Sequence, residues 1–318
     1  MRFIANRKKF YIFSGITTLL SVLVFFTVSP NLGIDMTGGL QIEYSAQSPV
    51  TPEKLSEVRA DIIKNYRYEK ADIFSDVMVY TADGSSIRAD IGLKTEADTV
   101  RATAKSNDIR ARLPDFFKKH DIVVTESSFI SVGKSFGDFV LNRAYLNLII
   151  CLFAIALYLM YAFRKSIEGT SSFTFGAITL ITLFHDVIVA AGIYIALGVL
   201  LPELKVDTFF VTAILTILGY SINDTIVIID RIRANYKDKR TSDKRSEKQI
   251  FEDSIQVSLR RSLYTSMMLV IVLLSMLFFG PEALRGFVTL MLLGTIVGTY
   301  SSICLAAPLL YDINSWKK

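Results

Sequence analysis

Six apolar runs limit how this chain can fold more than any other feature: Phe10–Val28, Ala144–Phe163, Phe173–Leu200, Phe209–Ile229, Leu263–Phe279 and Phe287–Leu310. At about 1.5 Å of helical rise per residue, each can cross ~30 Å of bilayer hydrocarbon, the fifth only just. The 51% hydrophobic share and mean hydropathy of +0.41 follow from these runs rather than from an oversized soluble core. Arg7, Lys8 and Lys9 precede the first run, which ends at Val28-Ser29-Pro30. That ending lacks the small-residue cleavage pattern of a signal peptide, so an uncleaved first helix is expected.

The basic residues set the expected orientation. Arg2, Arg7, Lys8 and Lys9 open the chain, Arg164 and Lys165 follow the second run, Arg231 to Arg261 is dense in Lys and Arg, and Lys317 and Lys318 close it. The alternate loops carry only Lys205 and Arg285. The positive-inside rule then predicts a multi-pass membrane protein with both termini in the cytoplasm. Three regions result: a cytoplasmic N-terminus and first span (1–29), an extracytoplasmic domain (30–140), and five further spans (141–318) with a cytoplasmic basic loop (231–261). The net charge of +5 is placed by topology, beside apolar runs, and does not point to nucleic acid. Cys151 and Cys304 lie within apolar runs, so no disulfide framework supports the polar domain.

The segment 30–140 alternates between strand and helix periods. Gln41-Ile42-Glu43-Tyr44 reads as a strand, and Thr51-Pro52-Glu53 opens a helix whose inner face is Leu55, Val58, Ile62, Ile63 and Tyr66. Val77–Tyr80 and Ile87–Ile91 flank the turn signal Asp83-Gly84. Thr95-x-x-Asp98 opens a second helix with Val100, Ala104 and Leu113 inward, and Ile122–Thr125 reads as a last strand. The order predicts an α+β, ferredoxin-like βαββαβ domain beside a membrane all-α bundle of six transmembrane helices. In the basic stretch, Ser246-x-x-Gln249 matches a capping box and starts an amphipathic surface helix leading into the fifth span. Its expected face is Ile250, Ser254, Val257 and Arg261, with Phe251 and Ile255 beside it.

Ionisable residues inside apolar runs mark where chemistry can sit. Asp224, in Gly219-Tyr220-Ser221-Ile222-Asn223-Asp224-Thr225, lies within the fourth run. A carboxylate near mid-membrane costs ~2.5–3.5 kcal/mol on insertion scales, so it needs a cation, a polar cavity or a proton. A carboxyl held between burial and a cation can load and release protons, or it can be a static contact between helices. Tyr220, one turn earlier, and the adjacent Asn223 offer hydrogen-bond partners. Arg261, opening the fifth run in the same half of the membrane, is the natural counter-ion, or it snorkels to headgroups. His185-Asp186, at the middle of the third run, is either a proton relay or a polar clamp. Gly294, Gly298, Ser302 and Ala306 recur every four residues in the last run as a helix-packing face, and Gly192 and Ala196 do likewise in the third. No metal-ligand spacing, P-loop, dinucleotide fingerprint or hydrolase motif occurs, so no metal, cofactor or enzymatic activity is expected.

Together these residues resemble a known family. Gly33-Ile34-Asp35-Met36-Thr37-Gly38-Gly39, just after the first run, is similar to the G-x-D-x-x-G-G signature of the SecD/SecF protein-export proteins. His185-Asp186-Val187, Gly219 to Thr225, Asp230-Arg231-Ile232-Arg233, Arg261 to Ser266 and Gly294 to Ser302 look like the SecF side of that family. Two departures stand out: Met267-Met268 where Thr-rich sequence is usual, and Lys134 in place of a proline in Val132-Gly133-Lys134-Ser135-Phe136-Gly137.

The resemblance implies a member of the RND superfamily that pairs with SecD or a SecD-like half. It would join the SecYEG channel, with SecA and YajC as further partners. It would use the proton-motive force to complete preprotein translocation across the inner membrane. By that resemblance Asp224 and Arg261 are the proton relay, with His185, Asp186, Tyr220 and Asn223 as secondary relay or clamp, and Gly33, Asp35, Gly38 and Gly39 as signature. The rival readings are a passive scaffold and an RND-type small-molecule exporter, which would carry larger substrate domains.

Overall fold

The computed structural model describes residues 2–68, 73–81, 84–93, 99–162, 172–242 and 246–316. Asp83, the helix start Thr95 to Asp98, Arg164, Lys165, Lys317 and Lys318 lie outside the described residues. Along the chain run α1 (Arg7–Thr27), a single turn α2 (Ile34–Thr37), β1 (Gly39–Ala46), α3 (Pro52–Asn65), β2 (Phe74–Thr81), β3 (Ser86–Leu93), α4 (Thr99–Lys119) and β4 (Val124–Val132). The long helices α5 (Lys134–Ala162), α6 (Ser172–Gly198), α7 (Thr208–Ser242) and α8 (Glu247–Phe279) follow. Last, α9 (Arg285–Ser301) passes through a π-helical turn, Ser302–Ala306, into α10 (Ala307–Trp316).

One compact unit comprises Asn31–Tyr145 together with the loop Leu201–Thr208. Its sheet has the order β2-β3-β1-β4, with every neighbouring pair antiparallel. The two-residue strand period sends Leu40, Ile42 and Tyr44 of β1 and Ile87, Ala89 and Ile91 of β3 to one face. There they meet Leu55, Val58 and Ile62 of α3 and Ile109, Leu113 and Phe117 of α4 in one core. The other face is polar: Gln41 stands opposite Asp90, and Glu43 opposite Arg88.

Three expectations for this unit are corrected. The last strand is β4, Val124–Val132, rather than Ile122–Thr125: Asp121 turns the chain at φ 57, Ile122 drops into the core, and pairing with β1 begins at Val124. As the end strand of the sheet, β4 has no deeply buried face, which erases the alternation that would have announced it. Ile63 is exposed, because only Leu55, Val58 and Ile62 of α3 stay on the 3.6-residue stripe. Ala104 is exposed too, its expected place inside taken by Ser106 and Ile109.

The second unit comprises Met1–Pro30, Leu146–Leu200 and Phe209–Lys318. Among the described residues, six helical segments are long and apolar enough to cross a membrane: Arg7–Thr27, Lys134–Ala162, Phe173–Gly198, Thr208–Tyr236, Glu247–Phe279 and Glu282–Ser315. The basic stretch after the fourth is not a loop and a separate surface helix. α7 runs on to Ser242, and α8 is continuous from Glu247 through the fifth apolar run. The expected capping box is present, with Ser246 and Gln249 bonding each other's backbone. The inward face of α8 differs from expectation: Ile250, Ser254, Ser258, Ser262 and Ser266 are buried, whereas Val257 and Arg261 are exposed.

Close helix contacts depend on small residues. A Cβ on Gly294 would collide with Ile217 of α7, one on Gly298 would lie 3.0 Å from Ser221 Cβ, and one on Gly192 would run into Ser21 of α1. Ser302 and Ala306 are buried but belong to the π-helical turn, which breaks the four-residue period after Gly298. The two glycines of the stripe pack against α7, and Ala306 shares a buried cluster with Ile228, Ile229 and Ile232 of the same helix.

Candidate functional site

Two buried carboxylates occupy the middle of the second unit, and their surroundings differ. Asp186 of α6 is completely buried. Its Oδ1 lies 2.9 Å from His185 Nδ1, and its Oδ2 accepts bonds from Ser221 Oγ of α7 at 2.5 Å and Ser301 Oγ of α9 at 2.7 Å. Three helices thus converge on one carboxylate. Gly298 lets α9 approach α7 closely at the level of Ser221. His185 is also buried, and its Nε2 has no hydrogen-bond partner among the described residues.

Asp224 lies nearly one turn further along α7 and is 3% exposed. Its Oδ2 is buried without a hydrogen-bond partner among the described residues. The groups acting on it come from α8: Ser262, fully buried, and the charge of Arg261. Neither closes a bond: the Ser262 hydroxyl is unpartnered among the described residues, and Arg261 is exposed and forms no ion pair with Asp224. Arg261 therefore acts on Asp224 through its charge rather than as a contact ion pair.

The expected neighbours of Asp224 go elsewhere. Tyr220 donates its hydroxyl to Ser266 Oγ of α8 at 2.7 Å, and Ser266 Oγ lies 2.6 Å from Thr299 Oγ1 of α9. Asn223 is exposed on the outside of α7. A residue one position away on a helix is rotated by about 100°, so adjacency in sequence does not bring the amide to the carboxylate. Sequence reasoning missed Ser221, Ser301, Ser266 and Thr299 as partners. The available signal was Ser254, Ser258, Ser262 and Ser266, spaced by four along α8 and all buried. Among the described residues, no group of three or more His, Cys, Asp or Glu could hold a metal ion.

The glycine-rich signature lies in the α+β unit. Gly38 at φ 73 and Gly39 at φ 144 turn the chain from α2 into β1, in conformations that a side chain disfavours. A Cβ on Gly38 would also meet the backbone of Lys134 at 2.8 Å. Asp35 Oδ2 accepts the backbone N–H of Thr208 at 2.6 Å, and the Thr208 hydroxyl bonds the same oxygen. The first residue of α7 is thus capped by a side chain distant in sequence. Gly33 leaves room for that contact, since a Cβ there would strike both Asp35 and Asp207.

This chain is similar to known proteins over its whole length. The family model for "Protein export membrane protein SecD/SecF, C-terminal" matches residues 114–316. A protein translocase subunit SecF from Sebaldella termitidis is 30% identical over 319 residues, covering 100% of this chain and 93% of the relative. Another from Thermobaculum terrenum is 32% identical over 312 residues, covering 98% and 92%. The crystal structure of SecDF, a translocon-associated membrane protein from Thermus thermophilus, matches with a TM-score of 0.76 at 26% identity, covering 100% of this chain and 38% of that one. The present chain therefore spans well under half of that structure. It is a multi-pass membrane protein, and it belongs to the SecD/SecF family of protein-export membrane proteins.

Proposed function

We propose that this chain is a subunit of the Sec protein-export translocase that, with SecD, uses the proton-motive force to complete preprotein translocation. The observation that carries the reading is Asp224: a carboxyl buried inside an apolar helix, with an oxygen unpartnered among the described residues and a cation acting on it without forming an ion pair. A static lock would satisfy that oxygen, as the contacts around Asp186 do. Protonation of Asp224 cancels its attraction to Arg261, and deprotonation restores it, so α7 and α8 have a charge-dependent reason to prefer different packings. Each charge crossing the full potential yields ~2.3 kcal/mol per 100 mV, enough to bias such an equilibrium. We assign Asp186 and His185 to a clamp that holds α6, α7 and α9 together.

The remaining assignments follow the same reading. The chain lies in the inner membrane with both termini cytoplasmic, and its α+β domain is extracytoplasmic. Sheet order and antiparallel pairing support the ferredoxin-like description of that domain. Partners are SecD, SecYEG with SecA and YajC, and the translocating preprotein. The chain hydrolyses no ATP itself. The test is Asp224→Asn in inverted vesicles: the increment of export that depends on the proton-motive force is expected to vanish, while co-purification with SecD and SecYEG persists. An undiminished increment would leave a scaffold as the better account.

A further inference from the structure

The loop Leu201–Thr208, between α6 and α7, is built into the α+β unit rather than simply turning the chain. Val206 N–H donates to Asn31 O at 2.7 Å, Gly33 N–H donates to Val206 O at 2.9 Å, and Leu32 and Val206 form a parallel bridge. Leu204 is buried. Lys205 pairs with Asp90 on the polar face of the sheet, and both are buried. Asp90 Oδ1 also accepts a bond from Gln41 Nε2 at 2.8 Å. The Lys205 ammonium lies 5.0 Å from the centre of the Tyr80 ring. Burial, reinforced by the charge of Asp90, pushes the Tyr80 phenol above its usual range, so the ring stays neutral beside the ion pair.

A loop whose only task is to join two spans has no need of this. Connecting loops normally lie on the surface, and desolvating an ammonium and a carboxylate costs several kcal/mol per ion before their attraction is recovered. The loop ends on Thr208, the first residue of α7, held by Asp35. The same helix carries Asp224.

We propose that Leu201–Thr208 is a strap that keeps the start of α7 fastened to the α+β domain throughout the working cycle, so that displacement of α7 is passed to the domain. Lys205 and Asp35 are its positioning residues. The proposal rests on the proton-driven reading of Asp224.

The test measures export in inverted vesicles with and without a proton-motive force. Wild-type chain reports on the underlying reading: no increment from the proton-motive force means that reading fails, whatever the strap does. Given that increment, Lys205→Met is expected to lose it while still assembling with its partners, and Lys205→Arg to keep it. A disulfide across the bridge, Leu32→Cys with Val206→Cys, is expected to leave the otherwise unchanged chain active. In the Lys205→Met background it is expected to restore the increment when oxidised and lose it again on reduction. Full activity of Lys205→Met, inactivation of the otherwise unchanged chain by the disulfide, or failure of the disulfide to rescue Lys205→Met would each overturn the strap.

Discussion

Asp186 and Asp224 are both aspartates buried in apolar helices, yet one is saturated with hydrogen bonds and the other is not. The carboxylate of Asp186 gathers His185, Ser221 and Ser301. Asp224 has an oxygen with no partner among the described residues, and a cation that acts on it without forming an ion pair. Burial alone therefore does not distinguish the two acids. What distinguishes them is whether the surroundings fix one charge state. Hydroxyl donors converging on Asp186 favour a single arrangement, whereas Asp224 Oδ2 has no such donor among the described residues.

The sharpest way to break this contrast is to make the same substitution at both positions. Asp224→Asn is expected to remove all export driven by the proton-motive force and leave assembly intact, whereas Asp186→Asn should keep a measurable share of it, because an amide oxygen still accepts a serine hydroxyl. Equal loss of driven export at both sites would erase the distinction. Next in size is Gly298→Val. Overpacking the α7–α9 contact, where a Cβ would lie 3.0 Å from Ser221, is expected to cost about 1–3 kcal/mol and lower the melting temperature in detergent. Asp186→Ala orphans two buried hydroxyls and should lower stability to a comparable or smaller degree, about 1–3 kcal/mol, by the same thermal assay. Smallest is Ser301→Ala, which deletes one interhelical bond worth about 0.6 kcal/mol and should leave driven export near normal.

The first of these substitutions can be chosen from sequence, but the last cannot. Asp224, His185 and Asp186 announce themselves as ionisable residues in apolar runs. Ser301 does not, because a serine near the end of a small-residue run looks like packing. Its role appears only when α9 is rotated so that its hydroxyl meets Asp186. Tyr220 and Asn223 show the reverse error. Both sit beside Asp224 in sequence, yet one is engaged with α8 and the other faces outward. In the α+β unit the helix faces and inner strands were legible from their periods. β4 was not, since none of its residues is deeply buried, so no burial period marks it. Lys205 counted only as a stray charge in a loop until its partner Asp90, 115 residues earlier, came into view.

The amino-acid sequence by itself determined how many segments can enter a bilayer, where the polar domain lies between them, and which acids need a compensating partner. These follow from the transfer free energy of short contiguous stretches, a local property. Only the tertiary structure decided which acid is satisfied, which glycines let helices touch, and that the loop before α7 is fastened to the sheet. Those outcomes depend on the rotation and register of elements far apart in the chain. Packing sets that rotation, and no local period encodes it.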